Sequence, residues 1–298
     1  MKKIMVIDTQ GESIGDLYRL RLPGITLRGV EMDSTRGTPC HEHGAFCGWL
    51  AGIPAIAAGG ECELVFVRIF DKDAAWIVGC ENWMLDVIAA ERPDYISRSW
   101  GAWDGDDKLQ SLYGQVAFQE FVPAFLKLQA EIGFVDFGAA GNSDKNDSDA
   151  DVDYPQSQMI ETCNIIGACR RNGVPTDWSG DGKGVQCVMW ADLVYSPDMA
   201  GAWRLWSGTS AATPKACGAC AAFGDDLASW RKRIELICSR PAGEWEIPHP
   251  KWGYGCAEDL WQNFAKRTPG LLPPIHPEAL QATPVIQPEF FDYRRLTK

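Results

Sequence analysis

Ser210 is the residue with the clearest potential for nucleophilic chemistry, and it lies in the segment GTSAATP at residues 208–214. A helix rich in Ala, Gly and Cys is predicted to begin near Thr209. A serine at a helix start often serves as an N-cap, and this structural role is one interpretation. The other is catalytic, because small neighbours expose the hydroxyl and a backbone N–H at the positive helix end can face a developing oxyanion.

A serine nucleophile needs a general base, and the sequence contains only four histidines. His249 and His276 lie beside prolines and are predicted to be loop residues. His43 precedes a predicted helix, which would hold its imidazole at a helix start. The base needs an acid to orient it, and Asp8 ends the first apolar run. The sequence therefore predicts that Asp8, His43 and Ser210 act together.

The segment around His43 also has a second interpretation, a metal site. Cys40, His41, His43 and Cys47 lie within eight residues and are ligand types that zinc accepts. Their spacing matches no usual zinc motif, and a metal ion would occupy the imidazole that Ser210 needs. We therefore expect no metal here, and a buried hydrophobic role for Cys47.

Four short apolar runs, each closed by a polar or glycine-bearing turn, predict strands separated by helices. This alternation is typical of a parallel sheet whose ligands bind at the carboxyl ends of the strands. Asp8, Ser99–Gly101 and Ala140–Asn142 close three of the runs, so they are expected at one sheet edge. The strand runs are 1–9, 63–70, 94–101 and 133–142, followed by strands at 164–169 and 185–190. The helices are predicted at about 43–57, 76–91, 107–131 and 226–239, besides the one from Thr209.

Five motifs in this order resemble those of the subtilisin-like serine proteases, the subtilases. VIDTQG resembles the family's strand-one Asp motif, and HGAFCGWLAG resembles its HGTHVAG helix. SRSWG resembles the substrate strand, AAGN the oxyanion motif, and GTSAATPKACG the family's GTSMATPHVAG. The similarity extends from about residue 3 to 224, and WGYGCAEDL at 252–260 resembles the family's closing turn.

The resemblance implies a three-layer α/β fold with a mainly parallel central sheet flanked by helices, and a role for each motif residue. Ser210 would attack the scissile carbonyl, His43 would carry the proton, and Asp8 would orient the imidazole. Asn142 would donate its amide to the oxyanion. The segment 99–101 would pair with an extended peptide by β-augmentation, and the segment 139–141 would wall the pocket for the residue before the cut. These substrate-binding residues are Ser99, Trp100, Gly101, Ala139, Ala140 and Gly141.

The sequence departs from the family motifs at three positions. Ala45 and Phe46 replace Thr and His in the histidine motif, and Lys215 replaces the usual His after Pro214. None of these positions carries a proton transfer, so the departures bear on substrate preference and helix packing. Only seven residues precede Asp8, and they are too short for a signal-peptide core. We therefore expect a short intracellular-type member without a prodomain, located in the cytoplasm.

Composition limits the classes of partner. The net charge of −12 disfavours nucleic acid and anionic membrane surfaces, and no apolar run is long enough to span a bilayer. Eleven scattered cysteines indicate reduced thiols, and the only CxxC pair, Cys217 and Cys220, is predicted to lie on a buried helix face. A cysteine nucleophile is a rival to Ser210, but none lies at a comparable strand–helix turn.

Two further segments carry weaker hypotheses. Residues 144–153 hold five aspartates, which fit a solvated loop, a calcium site or an acidic lip that favours Lys or Arg before the cut. Residues 266–298 are rich in proline and are predicted to form an arm that docks on a second copy, on a partner or on the cleft. The predicted domains are thus a catalytic domain at 1–265 and the arm at 266–298.

The sequence predicts a serine endopeptidase that acts on peptides or proteins and needs no cofactor. The alternative is a catalytically idle subtilase-fold protein that binds peptides or serves as a scaffold. The presence of all four key residues favours the enzyme.

Overall fold

A computed structural model describes most of the chain. The described residues are 1–12, 22, 24–73, 76–77, 79–101, 115–142, 155–198, 202–238 and 248–268. The aspartate-rich segment, most of the predicted arm and His276 lie outside these residues, so the hypotheses about them stay predictions. The same holds for the division into domains.

A seven-stranded sheet forms the centre of the molecule. Its strands are β1 (Lys2–Asp8), β2 (Ile25–Glu31), β3 (Cys62–Arg68), β4 (Tyr95–Arg98), β5 (Val135–Ala139), β6 (Cys163–Cys169) and β7 (Val185–Trp190). They follow the order β2-β3-β1-β4-β5-β6-β7, and each neighbouring pair is parallel. Strands β8 (Val194–Pro197) and β9 (Trp203–Trp206) form a separate antiparallel pair.

Helices cover both faces of this sheet, as the predicted α/β class requires. They are α1 (His43–Ala57), α2 (Cys80–Glu91), α3 (Gln115–Ile132), α4 (Thr209–Phe223), α5 (Leu227–Ile237) and α6 (Glu258–Ala265). Helices α1, α4, α5 and α6 contribute to the core on one face, and α2 and α3 to the core on the other. Strand β1 faces both cores, because Ile4 and Val6 point to the first and Met5 and Ile7 to the second. The three-layer fold is confirmed.

Helices α1 and α4 approach each other so closely that only small residues fit between them. A Cβ atom at Gly218 would lie 2.2 Å from the backbone oxygen of Ala51. Cys217 and Cys220 are buried thiols on α4, as predicted for the CxxC pair. The small residues of α4 thus allow the two helices to pack backbone against backbone.

Several elements differ from the sequence predictions. Strand β2 was not predicted, because Arg28 and Gly29 interrupt its apolar pattern and it is only partly buried at the sheet edge. The β8–β9 pair was also missed. Helix α2 begins at Cys80 rather than at 76, since Gly79 has a φ of 78° and Trp76 bridges back to Phe70. Among the described residues, no helix is both long and apolar enough to cross a membrane.

Candidate active site

The end of β1 and the start of α1 bring Asp8 and His43 into direct contact. The Nδ1 atom of His43 lies 2.8 Å from Oδ1 and 3.0 Å from Oδ2 of Asp8. Both side chains are buried. Because a carboxylate only accepts hydrogen bonds, Nδ1 carries a proton and the Nε2 atom of a neutral ring is left as the basic site.

Thr9, which the sequence analysis passed over, connects these two elements. Its backbone N–H donates to Asp8 Oδ1 at 2.7 Å. Its hydroxyl donates to the backbone oxygen of His41 at 2.6 Å and accepts from the N–H of Gly44 at 2.9 Å. One threonine therefore holds the acid and fixes the first turn of α1. The available sequence signal was its position directly after the aspartate that ends β1.

A buried arginine holds the loop that precedes α1. Arg68, at the end of β3, is fully buried and lies 3.3 Å from the carboxylate of Glu31. Its guanidinium also donates to the backbone oxygens of Thr35, Thr38 and Pro39 at 2.7–3.3 Å. The ends of β2 and β3 thus hold the loop that leads to the first residue of α1.

The pKa of His43 reflects two opposing effects. Burial lowers it, but the negative charge of Asp8 and the neighbouring Cys47 raise it, and the balance lies well above the ordinary value of 6.5. His41, which accepts a hydrogen bond from the backbone of His43 at 3.1 Å, behaves in the opposite way. Burial and the charge of His43 lower the pKa of His41 to about 4. The two histidines are therefore electrostatically distinct: the pKa of His43 is raised and that of His41 is lowered.

Ser210 is the second residue of α4, and Gly208 in front of it has a φ of 148° that favours glycine. The Ser210 hydroxyl donates to the backbone oxygen of Ser99 at 3.1 Å. In return, the hydroxyl of Ser99 donates to the backbone oxygen of Ser210 at 3.2 Å. The start of α4 is thus connected to the segment that follows β4.

Asn142 lies beside the start of α4 and is held by Thr209. The Asn142 Oδ1 atom accepts from the backbone N–H of Thr209 at 2.9 Å and from its hydroxyl at 3.2 Å. The Thr209 hydroxyl also lies 3.2 Å from the backbone of Gly141. These contacts orient the carboxamide with its Nδ2 atom directed away from α4. Thr209 is a second residue whose role the sequence analysis did not identify, although it stands beside the predicted nucleophile.

Cys47 lies one helical turn below His43. Its sulfur is 3.9 Å from His43 Nδ1 and 3.5 Å from the backbone oxygen of Ser210, and burial raises its pKa. Among the described residues, Asp8, His43 and Cys47 form the one group of three with ligand atoms within 4.8 Å of each other that could hold a metal ion. In this structure the same His43 Nδ1 atom is hydrogen-bonded to Asp8.

The other two residues of the considered metal segment do not join this group. The sulfur of Cys40 donates to the side-chain oxygen of Gln10 at 3.1 Å, and His41 receives the backbone N–H described above. Of the four residues in this segment, the described structure therefore groups only His43 and Cys47 with Asp8.

The predicted substrate segments lie side by side where β4 and β5 end. Arg98 is opposite Gly138 in the parallel register, so Ser99–Gly101 and Ala139–Gly141 leave the sheet together. The Trp100 side chain is buried against aromatic side chains and the guanidinium of Arg98. Only the backbone of Trp100 is therefore available to a peptide.

Lys215, where the resembled motif has histidine, is fully buried. Its Nζ atom lies 2.9 Å from the carboxylate of Glu258 on α6 and donates to the backbone oxygen of Trp190 at 2.8 Å. It also lies 4.5 Å from the ring centre of Trp261. Lys215 thus anchors α4 to α6 and to the end of β7, away from Asp8 and His43.

A parallel sheet with an Asp–His pair and a helix-start serine at its carboxyl edge is the arrangement of a subtilisin-like fold. The chain belongs to the subtilase family, whose model matches residues 35–233. The match contains His43, Asn142 and Ser210 but begins after Asp8, so the place of Asp8 is given by the geometry. No curated protein sequence matches the chain.

Solved structures share the fold at low sequence identity. A lanthipeptide protease is 16% identical with a TM-score of 0.65, and the alignment covers 89% of this chain and 87% of the other. A cold-adapted subtilisin-like serine proteinase is 16% identical with a TM-score of 0.62 over 86% and 88% of the chains. The prenylagaramide maturation protease PagA is 17% identical with a TM-score of 0.57 over 89% and 93%. These similarities establish the fold.

Proposed function

We propose that this protein is a serine endopeptidase that cleaves peptides or proteins with Asp8, His43 and Ser210 as its triad. The observation that carries the proposal is the buried contact between the Asp8 carboxylate and His43 Nδ1, at 2.8 and 3.0 Å. It orients the imidazole through Nδ1, as general-base catalysis through the other ring nitrogen needs. Family membership supports the same class of reaction.

In the proposed reaction, the Ser210 hydroxyl rotates from the Ser99 oxygen towards His43 Nε2. His43 takes its proton as Ser210 Oγ attacks the scissile carbonyl, and then gives that proton to the leaving amine. Water, deprotonated by His43, releases the acyl group and restores the serine. The Nδ2 atom of Asn142, whose carboxamide Thr209 orients, and the backbone N–H of Ser210 at the positive start of α4 would stabilise the oxyanion.

The proposed substrate is an extended peptide that pairs with Ser99–Gly101 and reaches the wall at Ala139–Gly141. Peptides are favoured over nucleic acids because the chain carries a net charge of −12. Besides the peptide and water, the steps above use only side-chain and backbone groups of the chain.

A second candidate is a catalytically idle peptide-binding protein, and one contact favours it. The Ser210 hydroxyl donates to the Ser99 oxygen in this structure, so it must leave that bond before it can be activated. An idle protein would retain this contact when peptide binds.

Labelling with a fluorophosphonate separates the two candidates. The probe reacts only with an activated serine, so the enzyme is expected to be labelled on Ser210 and the Ser210→Ala variant to remain unlabelled. Ser229, an exposed helix residue on α5, provides the matched control, and Ser229→Ala is expected to be labelled like the wild type. An unlabelled wild type that still binds peptides would establish the idle protein.

A further inference from the structure

We propose that Gln156 is a positioning and specificity-determining residue of the peptide site, which makes the site select a small side chain immediately before the cleaved bond. This inference rests on the proposed function. Gln156 lies in a short 3-10 turn (Gln156–Gln158) in the connection from β5 to β6.

The Gln156 carboxamide joins the two substrate segments directly. Its Nε2 atom donates to the backbone oxygen of Trp100 at 2.5 Å and to that of Ala139 at 3.2 Å. Both partners are carbonyls that can only accept, so the amide nitrogen and its two hydrogens must face them. The side chain therefore sets the separation of the segments that would form the two sides of the cleft.

The same side chain fills the space behind that cleft. Gln156 is fully buried, and its Cγ would lie 2.4 Å from a Cβ atom placed on Gly138 in β5. The glutamine thus lies flat against the backbone of β5, and a glycine is required beneath it. A long side chain of a bound peptide would need the volume that the four terminal heavy atoms of Gln156 occupy.

The turn that carries Gln156 is fixed to the sheet. The N–H of Met159 donates to the backbone oxygen of Gln156 at 2.9 Å. The N–H of Cys163, the first residue of β6, donates to Met159 at 2.8 Å. Cys163 is paired with Asp136 of β5, so the glutamine cannot retreat without disturbing the sheet.

The other end of this carboxamide is less well accommodated. The Oε1 atom of Gln156 is buried and has no hydrogen-bond partner among the described residues. A buried unsatisfied oxygen is destabilising. The two hydrogen bonds that Nε2 donates to the substrate segments offset this cost.

The test compares two peptide p-nitroanilides that differ only in whether alanine or phenylalanine precedes the cleaved bond. The wild type is expected to have the higher kcat/KM for the alanine substrate. Gln156→Ala opens the space and is expected to shift the ratio towards phenylalanine by about tenfold or more, because pocket volume changes of this size have effects of that order. Gln156→Glu keeps the size but cannot donate to the two carbonyls, so it is expected to lower kcat/KM for both substrates without favouring phenylalanine.

Gln158→Ala is the matched control, since Gln158 is exposed on the same turn. It is expected to keep the wild-type ratio. A wild type that prefers phenylalanine, or a Gln156→Ala variant that is labelled by fluorophosphonate with an unchanged ratio, would overturn this inference and leave the proposed function standing. A wild type that fluorophosphonate does not label would instead overturn the proposed function. Since the wild-type ratio is itself decisive, a variant that does not fold leaves the inference testable.

Discussion

The acid–base half of the site and its nucleophile half are fixed in different ways. In the acid–base half, Asp8 and His43 contact each other directly, and Thr9 bonds to the elements that carry both. In the nucleophile half, Thr209 fixes Asn142, while the Ser210 hydroxyl is bonded to a backbone oxygen. In the proposed mechanism, the acid–base half thus already has the contact it needs, whereas the Ser210 hydroxyl of the nucleophile half must turn away from the Ser99 oxygen.

A buried ion pair supports each half. Arg68 and Glu31 lie beneath the loop that leads to α1, and Lys215 and Glu258 connect α4 with α6. In both cases the cation also donates to backbone oxygens, which supplies the hydrogen bonds that a buried charge requires. The rigid support is therefore similar in the two halves, and the difference lies in the bonds of the reactive side chains.

The largest effect is expected from breaking the acid–base half with Asp8→Asn. Loss of the carboxylate removes the orientation of the imidazole and the stabilisation of its charged form, and turnover is expected to fall by about 10⁴. The charge of Asp8 raises the pKa of His43, so the variant has a lower pKa at this residue.

The pH profile of kcat/KM tests the direction in which the His43 pKa changes. His43 acts as a base when neutral, so kcat/KM falls as the pH drops through the His43 pKa, which lies above 6.5 in the wild type. In Asp8→Asn the acid limb is expected to move to lower pH while the plateau falls. Asp33→Asn, at an exposed residue of the loop before α1, is the control. An acid limb that does not move would show that Asp8 does not act on His43.

The next effect is expected in the nucleophile half, from Asn142→Ala. If Asn142 donates to the oxyanion, its loss lowers kcat by about 10² to 10³ and leaves KM nearly unchanged, because the oxyanion forms only in the transition state. Asn172→Ala, at an exposed residue, is the control. A change confined to KM would place Asn142 in substrate binding instead.

In both halves the sequence predicts the reactive residues but not the residues that hold them. The order of Asp8, His43, Asn142 and Ser210 and the strand or helix end of each could be inferred, because strand ends in a parallel sheet meet at one edge. Thr9, Thr209 and Gln156 could not. Most of their hydrogen bonds reach segments that are distant in the sequence and become neighbours only after the sheet and helices pack.

A smaller effect is expected from Thr209→Val, which tests the hydrogen bonds of the Thr209 hydroxyl. The variant keeps the shape of the side chain but removes the hydroxyl bonded to Asn142 and Gly141. The backbone N–H of Thr209 still holds Asn142, so we expect kcat to fall by about tenfold, less than in Asn142→Ala. Thr209→Ser retains the hydroxyl and is expected to recover most of the activity. Equal losses in the valine and serine variants would point to packing rather than to the hydrogen bond.

The smallest effect is expected from Cys47→Val, which tests how much His43 depends on the thiol one helical turn along α1. Valine fills a similar volume, so the free energy of unfolding is expected to change by less than about 1.5 kcal/mol. Cys47 contributes to raising the pKa of His43, so the acid limb of kcat/KM is expected to move slightly to lower pH, by much less than in Asp8→Asn. Cys217→Val, at a buried cysteine of α4 outside the site, controls for packing alone. A shift as large as that of Asp8→Asn would mean that the Cys47 thiol, and not the Asp8 carboxylate, dominates the electrostatics of the His43 imidazole. Because Cys47 also contacts the backbone oxygen of Ser210, it would then be a functional residue of both halves of the site.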